Sequence, residues 1–420
     1  MKKLAVVYNK GAVHPMEVYN GLSGTVSLVF AVSPAPAARR LVPVMERIGE
    51  VVALTGDHGA NASALADHRP DGIVTFSESM LPTTSALADS LGLRHHDAAT
   101  VERLTDKHTQ RTALRRADID TTAQRLLRGE EDWETALADI GLPAVLKPAW
   151  GGGSRDTHRV DDGETGGRLL RTLLSRNPST AGFVLEELLS GSPDSSFGDY
   201  VSVESLVLDS EPHHLAVTGK FPLAPPFRET GQFWPADLGD GLRHDVLKLT
   251  TDAVRALGVT SGITHTEIKL TACGPRIIEV NGRLGGHVNE LSLRACGVDV
   301  VRLAGLAALG EPVSPPRLVP DRVFWQYNNP APTSPCRLVA VNGWREACTV
   351  PGVSRYTPYA RVTDLLDGGV MTQALDLVSG EATSHAAMRK QLAQVMDLVS
   401  FTFDFEGETR TVPASALAAH

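Results

Sequence analysis

The first hundred residues alternate short apolar runs with longer stretches of mixed polarity. Residues 4–8, 51–54 and 72–76 have the length and apolar content of buried strands, and 83–91 has helical spacing. This part of the chain therefore predicts a small parallel α/β layer. A second pattern begins near Thr105, where a helix running to about Ala117 carries Asp106 and Lys107 in its first turns. Residues 143–147 read as a buried strand entering the segment Pro148-Ala149-Trp150-Gly151-Gly152-Gly153-Ser154, and a helix over 166–176 and a strand over 183–186 follow. Along 200–207, Ser202 and Glu204 fall on one face and Val201 and Val203 on the other. Residues 222–235 hold four prolines around Phe227, Phe233 and Trp234. Proline fixes φ and removes a donor, so this stretch predicts a long ordered loop or lid. A helix over 242–257 and two β-rich runs over 262–283 come next, and past Pro315 short strands and turns end in an amphipathic helix near 385–398.

The two β-rich runs carry the most specific chemistry. Glu267 and Glu279 flank the turn Ala272-Cys273-Gly274-Pro275, and an antiparallel hairpin would bring them side by side. Glu279, Asn281 and Arg283 share a face, because residues two apart on a strand point the same way. Two carboxylates and an amide are the hard oxygen donors that hold Mg²⁺ together with substrate phosphates. Arg283 adds a planar fork suited to carboxylate or phosphate. A surface hairpin closed by a Glu279–Arg283 ion pair is the plain alternative.

Gly151–Gly153 and Ser154 can wrap phosphates with backbone N–H groups. A flexible loop has the same composition, and the segment is neither a Walker A motif nor GxGxxG. Lys147 sits within an apolar run and on burial needs an anion, which a phosphate would supply. Lys107 stands where a helix dipole favours an acid, which points to a ligand, an exposed lysine being the alternative. Residues 185–191, LEELLSG, are either a strand edge with solvated acids or a connector whose backbone meets a base edge.

A chain of 420 residues predicts two or three domains. A formal charge of −9 argues against nucleic acid as the main partner, which requires a basic face. No apolar run approaches a membrane span, and residues 4–8 are too short for a secretory signal. Cys273, Cys296, Cys336 and Cys348 lack CxxC spacing and read as thiols rather than a disulfide framework. A cytoplasmic enzyme and a soluble binding protein both fit these facts.

The order of motifs over residues 71–310 resembles the ATP-grasp superfamily of carboxylate–amine ligases: DGIVTFSE with Glu78, DKHTQR, PAVLKPAWGGGS, VLEELLSG and IEVNGRLGG. GKFPLAPPFRETGQFWP, EVNGRLGGH and the C-terminal extension are most similar to the L-amino-acid ligases that make dipeptides. The resemblance implies an α/β with α+β architecture. A Rossmann-like domain would cover 1–104 and a two-lobed ATP-grasp domain 105–310, with a small lobe near 118–187 and a lid near 220–236. A small α+β domain would cover 311–420. It also implies ATP and two Mg²⁺ ions, with Mn²⁺ as a substitute.

On that likeness Lys107 and Lys147 hold the α- and β-phosphates, and Gly152, Gly153 and Ser154 close over them. Glu186 and Leu189 offer backbone groups to adenine, and Asp199 or Asp194 meets the ribose. Glu267, Glu279 and Asn281 hold the metals, Arg283 braces the transferred phosphoryl group, and Lys220 reaches the γ-phosphate. Glu204, Arg228, Glu229, Gly285, Gly286 and His287 are expected at the substrates, an amino-acid-like carboxylate and an amine joined through an acyl phosphate. A homodimer and a carrier-protein acceptor both stay open. Biotin carboxylases share the metal ligands but place an acid–His pair just beyond the arginine, where this chain has Leu284-Gly285-Gly286-His287. A purine-pathway ATP-grasp enzyme and a silent ATP-binding module compete with the ligase reading as well.

Overall fold

The computed structural model describes residues 1–176, 181–192 and 197–418. Its N-terminal layer is a parallel sheet of β1 (Lys3–Tyr8), β2 (Ser27–Val32), β3 (Glu50–Ala53) and β4 (Gly72–Val74), in the order β3-β2-β1-β4. Its central strands β1 and β2 are almost wholly buried, as expected where helices cover both faces, while β3 at the edge is largely exposed. A small lobe follows, with β5 (Gln124–Leu127), β6 (Ala144–Pro148), β7 (His158–Val160) and β8 (Phe183–Glu187) forming an antiparallel sheet. The helices Trp133–Ile140 and Gly163–Arg176 pack against it through Trp133, Ala136, Leu170 and Leu173.

The remaining strands are β9 (Tyr200–Leu208), β10 (Glu211–Lys220), β11 (Gly231–Trp234), β12 (Gly262–Thr271), β13 (Gly274–Asn281), β14 (Val323–Tyr327), β15 (Cys336–Asn342), β16 (Val353–Pro358), β17 (Leu365–Leu366), β18 (Asp376–Ala382), β19 (Ser400–Phe405) and β20 (Glu408–Pro413). Eight of them make one sheet in the order β13-β12-β9-β10-β11-β14-β18-β16, and β17-β15-β19-β20 make a separate one. On one face of the large sheet Val201, Val203, Val217, Ile268 and Val280 pack under the helix Asp240–Ala256. On the other, Leu206, Ile263, Leu284, Trp234 and Phe324 join the N-terminal core. That core seals one end of the second face and leaves its polar end for the site.

Three expectations change. The segment 222–235 is irregular only as far as Thr230, because Gly231–Trp234 pairs with both β10 and β14. Gly231 makes this pairing feasible: its φ is +148°, and a Cβ there would lie 2.2 Å from the Gln326 carbonyl oxygen. A boundary after residue 310 would divide the large sheet, since β14, β18 and β16 continue it. The helix near the C-terminus spans His385–Leu398 as expected, but the hairpin β19–β20 follows it. Among the described residues no helix is long and apolar enough to cross a membrane.

Candidate active site

In an antiparallel sheet, paired residues point to the same side, so the strand register lays out the polar face directly. Asn281, His265 and Glu204 are register neighbours across β13, β12 and β9. One step along the strands, Glu279, Glu267, Ser202 and Thr218 form the next row. Farther across, Lys220, Gln232 and Gln326 continue the polar surface.

The side-by-side placement of Glu267 and Glu279 depends on a β-bulge. Thr271 pairs with Gly274 and Ile268 with Ile277, a register that would set Glu267 opposite Ile278. The shift beyond Ile268 makes Ile278 the extra residue and brings Glu279 opposite Glu267 instead. Neither carboxylate is fully buried. Glu279 pairs with Lys107 at 3.0 Å, and Glu267 lies 3.3 Å from His265 Nε2. His265 Nδ1 in turn lies 2.6 Å from Glu204. Burial works against a charged imidazole, but the Glu204 carboxylate outweighs it and raises the His265 pKa to about 9. Burial likewise opposes the Glu267 charge, and the His265 contact overrides it and holds that carboxyl below its ordinary value.

Cations surround this pair. Lys107 opens the helix Lys107–Arg116, capped by Asp106, and its ammonium also donates to the Gly151 carbonyl. Arg283 donates to Glu78 at 3.0 Å and to Asn281 at 3.4 Å. Lys147 is buried 2.8 Å from Glu186. Burial depresses its pKa despite that neighbour. Arg111 grips the same Glu186 with two contacts of 3.1 Å. Burial disfavours the Glu186 charge, yet the two cations pull its pKa down to about 2. Lys220 lies 3.4 Å from Glu229 and 3.3 Å from Gln232.

The glycine loop stands over the cluster. A Cβ at Gly152 would come within 2.8 Å of Glu78, while Ser154 donates to the Phe227 carbonyl and Thr372 N–H to the Gly153 carbonyl. Gly286 and His287 are exposed at the rim, their carbonyls held by Gln232 and Gln326. His287 stacks on Tyr359 with centroids 5.9 Å apart. Asp199 pairs with Lys269 at 2.6 Å, Leu189 is half-buried beyond β8, and Asp194 lies outside the described residues.

Three residues expected at the substrates have their partners within the protein. Glu204 has no exposed surface and spends its oxygens on Ser202, His265 and the Gly285 N–H. Gly285 is buried with it, and a Cβ there would sit 2.5 Å from His265. Arg228 is 1% exposed and donates to the carbonyls of Pro225 and Ala331, so it ties the loop down instead of facing solvent or Glu229. Two residues without an assigned role enter the site. His265 was signalled by its alternation with Glu267, and Glu78 by its position just beyond β4, at the carboxyl edge where parallel sheets bind ligands.

Mg²⁺ suits the donors present: like-charged carboxylates are held adjacent, and a neutral amide oxygen shares their face. Among the described residues no group of three or more His, Cys, Asp or Glu is placed to hold a metal ion.

A two-lobed core whose metal-type hairpin faces a glycine loop and two lysines is the ATP-grasp arrangement, and the chain has that fold. No protein-family model matches it. An alanine–anticapsin ligase of Bacillus subtilis is 30% identical over 48% of this chain and 45% of its own length. This chain spans about half the length of such curated relatives. The crystal structure of an L-amino acid ligase from Bacillus licheniformis superposes with a TM-score of 0.80 over 96% of this chain and 98% of that one, at 22% identity. The biotin carboxylase domain of a Hydrogenobacter thermophilus 2-oxoglutarate carboxylase, solved with MgADP and bicarbonate, gives 0.69 over 98% and 91% at 15% identity. At these identities the two structures speak to fold alone.

Proposed function

We propose that this chain is an ATP-dependent ligase that joins an amino-acid carboxylate to an amine, releasing ADP and phosphate. The observation that carries the reading is the Glu267–Glu279 register pair beside Asn281, Lys107 and Arg283. The alanine–anticapsin ligase match supports the substrate class. Bound Mg²⁺ would neutralise phosphate charge, held by Glu267, Glu279 and Asn281. Lys107 and Lys147 would neutralise the α- and β-phosphates once released from Glu279 and Glu186, and Lys220 would meet the γ-phosphate. Arg283, already oriented by Glu78, would stabilise charge on the transferred group and on the resulting acyl phosphate. Gly152, Gly153 and Ser154 would exclude water that otherwise hydrolyses that species.

Glu186 and Leu189 remain the proposed adenine contacts through their backbone, and Asp199 the ribose contact. Glu229, Gly286 and His287 line the rim where the amino acids would bind. As proposed, the enzyme acts in the cytoplasm on small molecules.

The test is phosphate release from ATP with pooled and then paired amino acids, with the product identified by mass spectrometry. Amino-acid-stimulated release is expected, and Glu279→Gln should lower it at least 100-fold without loss of fold. Absence of stimulation by every amino acid, or a fully active Glu279→Gln variant, would defeat the reading.

A further inference from the structure

The carboxylate strand β13 lies at the edge of the large sheet, so its outward N–H and C=O groups have no strand partner. Two neighbouring side chains of the helix Lys107–Arg116 satisfy them. Gln110 brackets Val280, donating to its carbonyl at 2.9 Å and accepting from its N–H at 2.8 Å. Arg111 donates to the carbonyls of Ile277 at 2.5 Å and Ile278 at 2.9 Å. Those two carbonyls bound the bulge that sets Glu279 opposite Glu267. Asp120 completes the clamp by accepting from the Ile277 N–H at 2.9 Å.

A bulge leaves ladder groups unpaired and is held only where something else satisfies them. Here the guanidinium does so, and its remaining donors engage Glu186, the partner of Lys147. Arg111 is 5% exposed, and its donors are taken up by two backbone carbonyls and the Glu186 carboxylate. A lysine could keep the charge but not the fork, which here spans two carbonyls and two carboxylate oxygens.

We infer that Arg111 is a positioning residue: with Gln110 it locks the Ile278 bulge, and so the register that makes Glu267 and Glu279 a cation site. This rests on the proposed nucleotide–Mg²⁺ reading of the site, and the experiment separates the two. ADP affinity is measured by titration calorimetry on the full chain with Mg²⁺ and with chelator, giving the gain due to the metal. In Arg111→Lys that gain should fall at least tenfold while chelator affinity changes less than threefold. Arg302→Lys serves as the control, because Arg302 is also a guanidinium that bonds backbone, donating to the Gly21 carbonyl and the Thr25 hydroxyl, neither of which belongs to the hairpin. It should lower the melting temperature and leave the gain intact.

If Arg111→Lys does not fold, Gln110→Ala carries the test, with at least a threefold loss of the gain expected. A folded variant of either kind that keeps the full gain overturns the positioning role. A native protein that binds ADP equally with and without Mg²⁺ overturns the reading of the site, and this inference with it.

Discussion

His265 shows how a single residue organises the chemistry around it. It is 3% exposed between Glu204 and Glu267, and its charge compensates the first while holding the second in its ionised form. Its folded pKa of about 9 lies above the ordinary 6.5, so the stability it contributes is complete below pH 6.5 and is lost as pH rises through 9. The difference corresponds to roughly 3 kcal/mol. In chelator, the stability gap between the native protein and a His265→Gln/Glu204→Gln double variant should narrow by about that amount from pH 6 to pH 9.5. Urea unfolding at the two pH values measures it, and a gap independent of pH would show that the pair is not charged. The sequence displayed Glu204, Glu267, Glu279 and Asn281 through period-two alternation. It could not display the pairing of His265 with Glu204, because the register between β12 and β9 is set by contacts sixty residues apart.

Elements meet at the glycine loop. Ser154 donates to Phe227 at 2.7 Å, Thr372 N–H reaches Gly153, and the Thr372 hydroxyl accepts from the Glu229 N–H at 3.1 Å. The glycine loop, the proline-rich loop and a C-terminal turn therefore form one latch. Each hydrogen bond is worth about 0.5–1.5 kcal/mol, so losing one should raise the open population roughly 2- to 12-fold. Amide hydrogen exchange of the peptide covering 150–154 should accelerate by that factor in both Ser154→Ala and Thr372→Val. Unchanged exchange in Thr372→Val would remove the Glu229–Thr372 hydroxyl bond from the latch and leave the turn tied only by its backbone bond to Gly153. Of these elements the glycine loop was legible from composition, and the lid only in part. Four prolines hid β11, which Gly231 admits through a backbone conformation that composition does not reveal. The bulge at Ile278 was invisible for a related reason: one inserted residue changes the pairing without interrupting the β-rich texture of the run.

Across the whole molecule, three strands of the N-terminal layer and the strands that carry the site were readable because helices or loops of contrasting texture separate them, whereas β2, β5, β7 and β10 were not singled out. The C-terminal third was not, because strands distant in sequence, such as β14 and β18, pair within a sheet begun more than a hundred residues earlier. The physical consequence concerns autonomy. β11 shares two residue pairs with β10 and four with β14, and Phe221 and Phe233 sit in one core with Trp325, Val378 and Met388. A chain ending at residue 310 would leave β11 as a frayed edge and expose those two phenylalanines. Each loses roughly 1.5–3 kcal/mol of burial, against a total stability on the order of 5–15 kcal/mol for a domain. The truncated chain should therefore aggregate on size-exclusion chromatography and show no cooperative thermal transition, while the full chain melts cooperatively. A monomeric, cooperatively melting 1–310 fragment would mean that the large sheet closes without its C-terminal strands, and that the latch residue Thr372 belongs to a dispensable domain. Because Thr372 and Ala331 both hold the proline-rich loop, the structure favours the opposite outcome: the strands that complete the sheet also carry the residues that close the site.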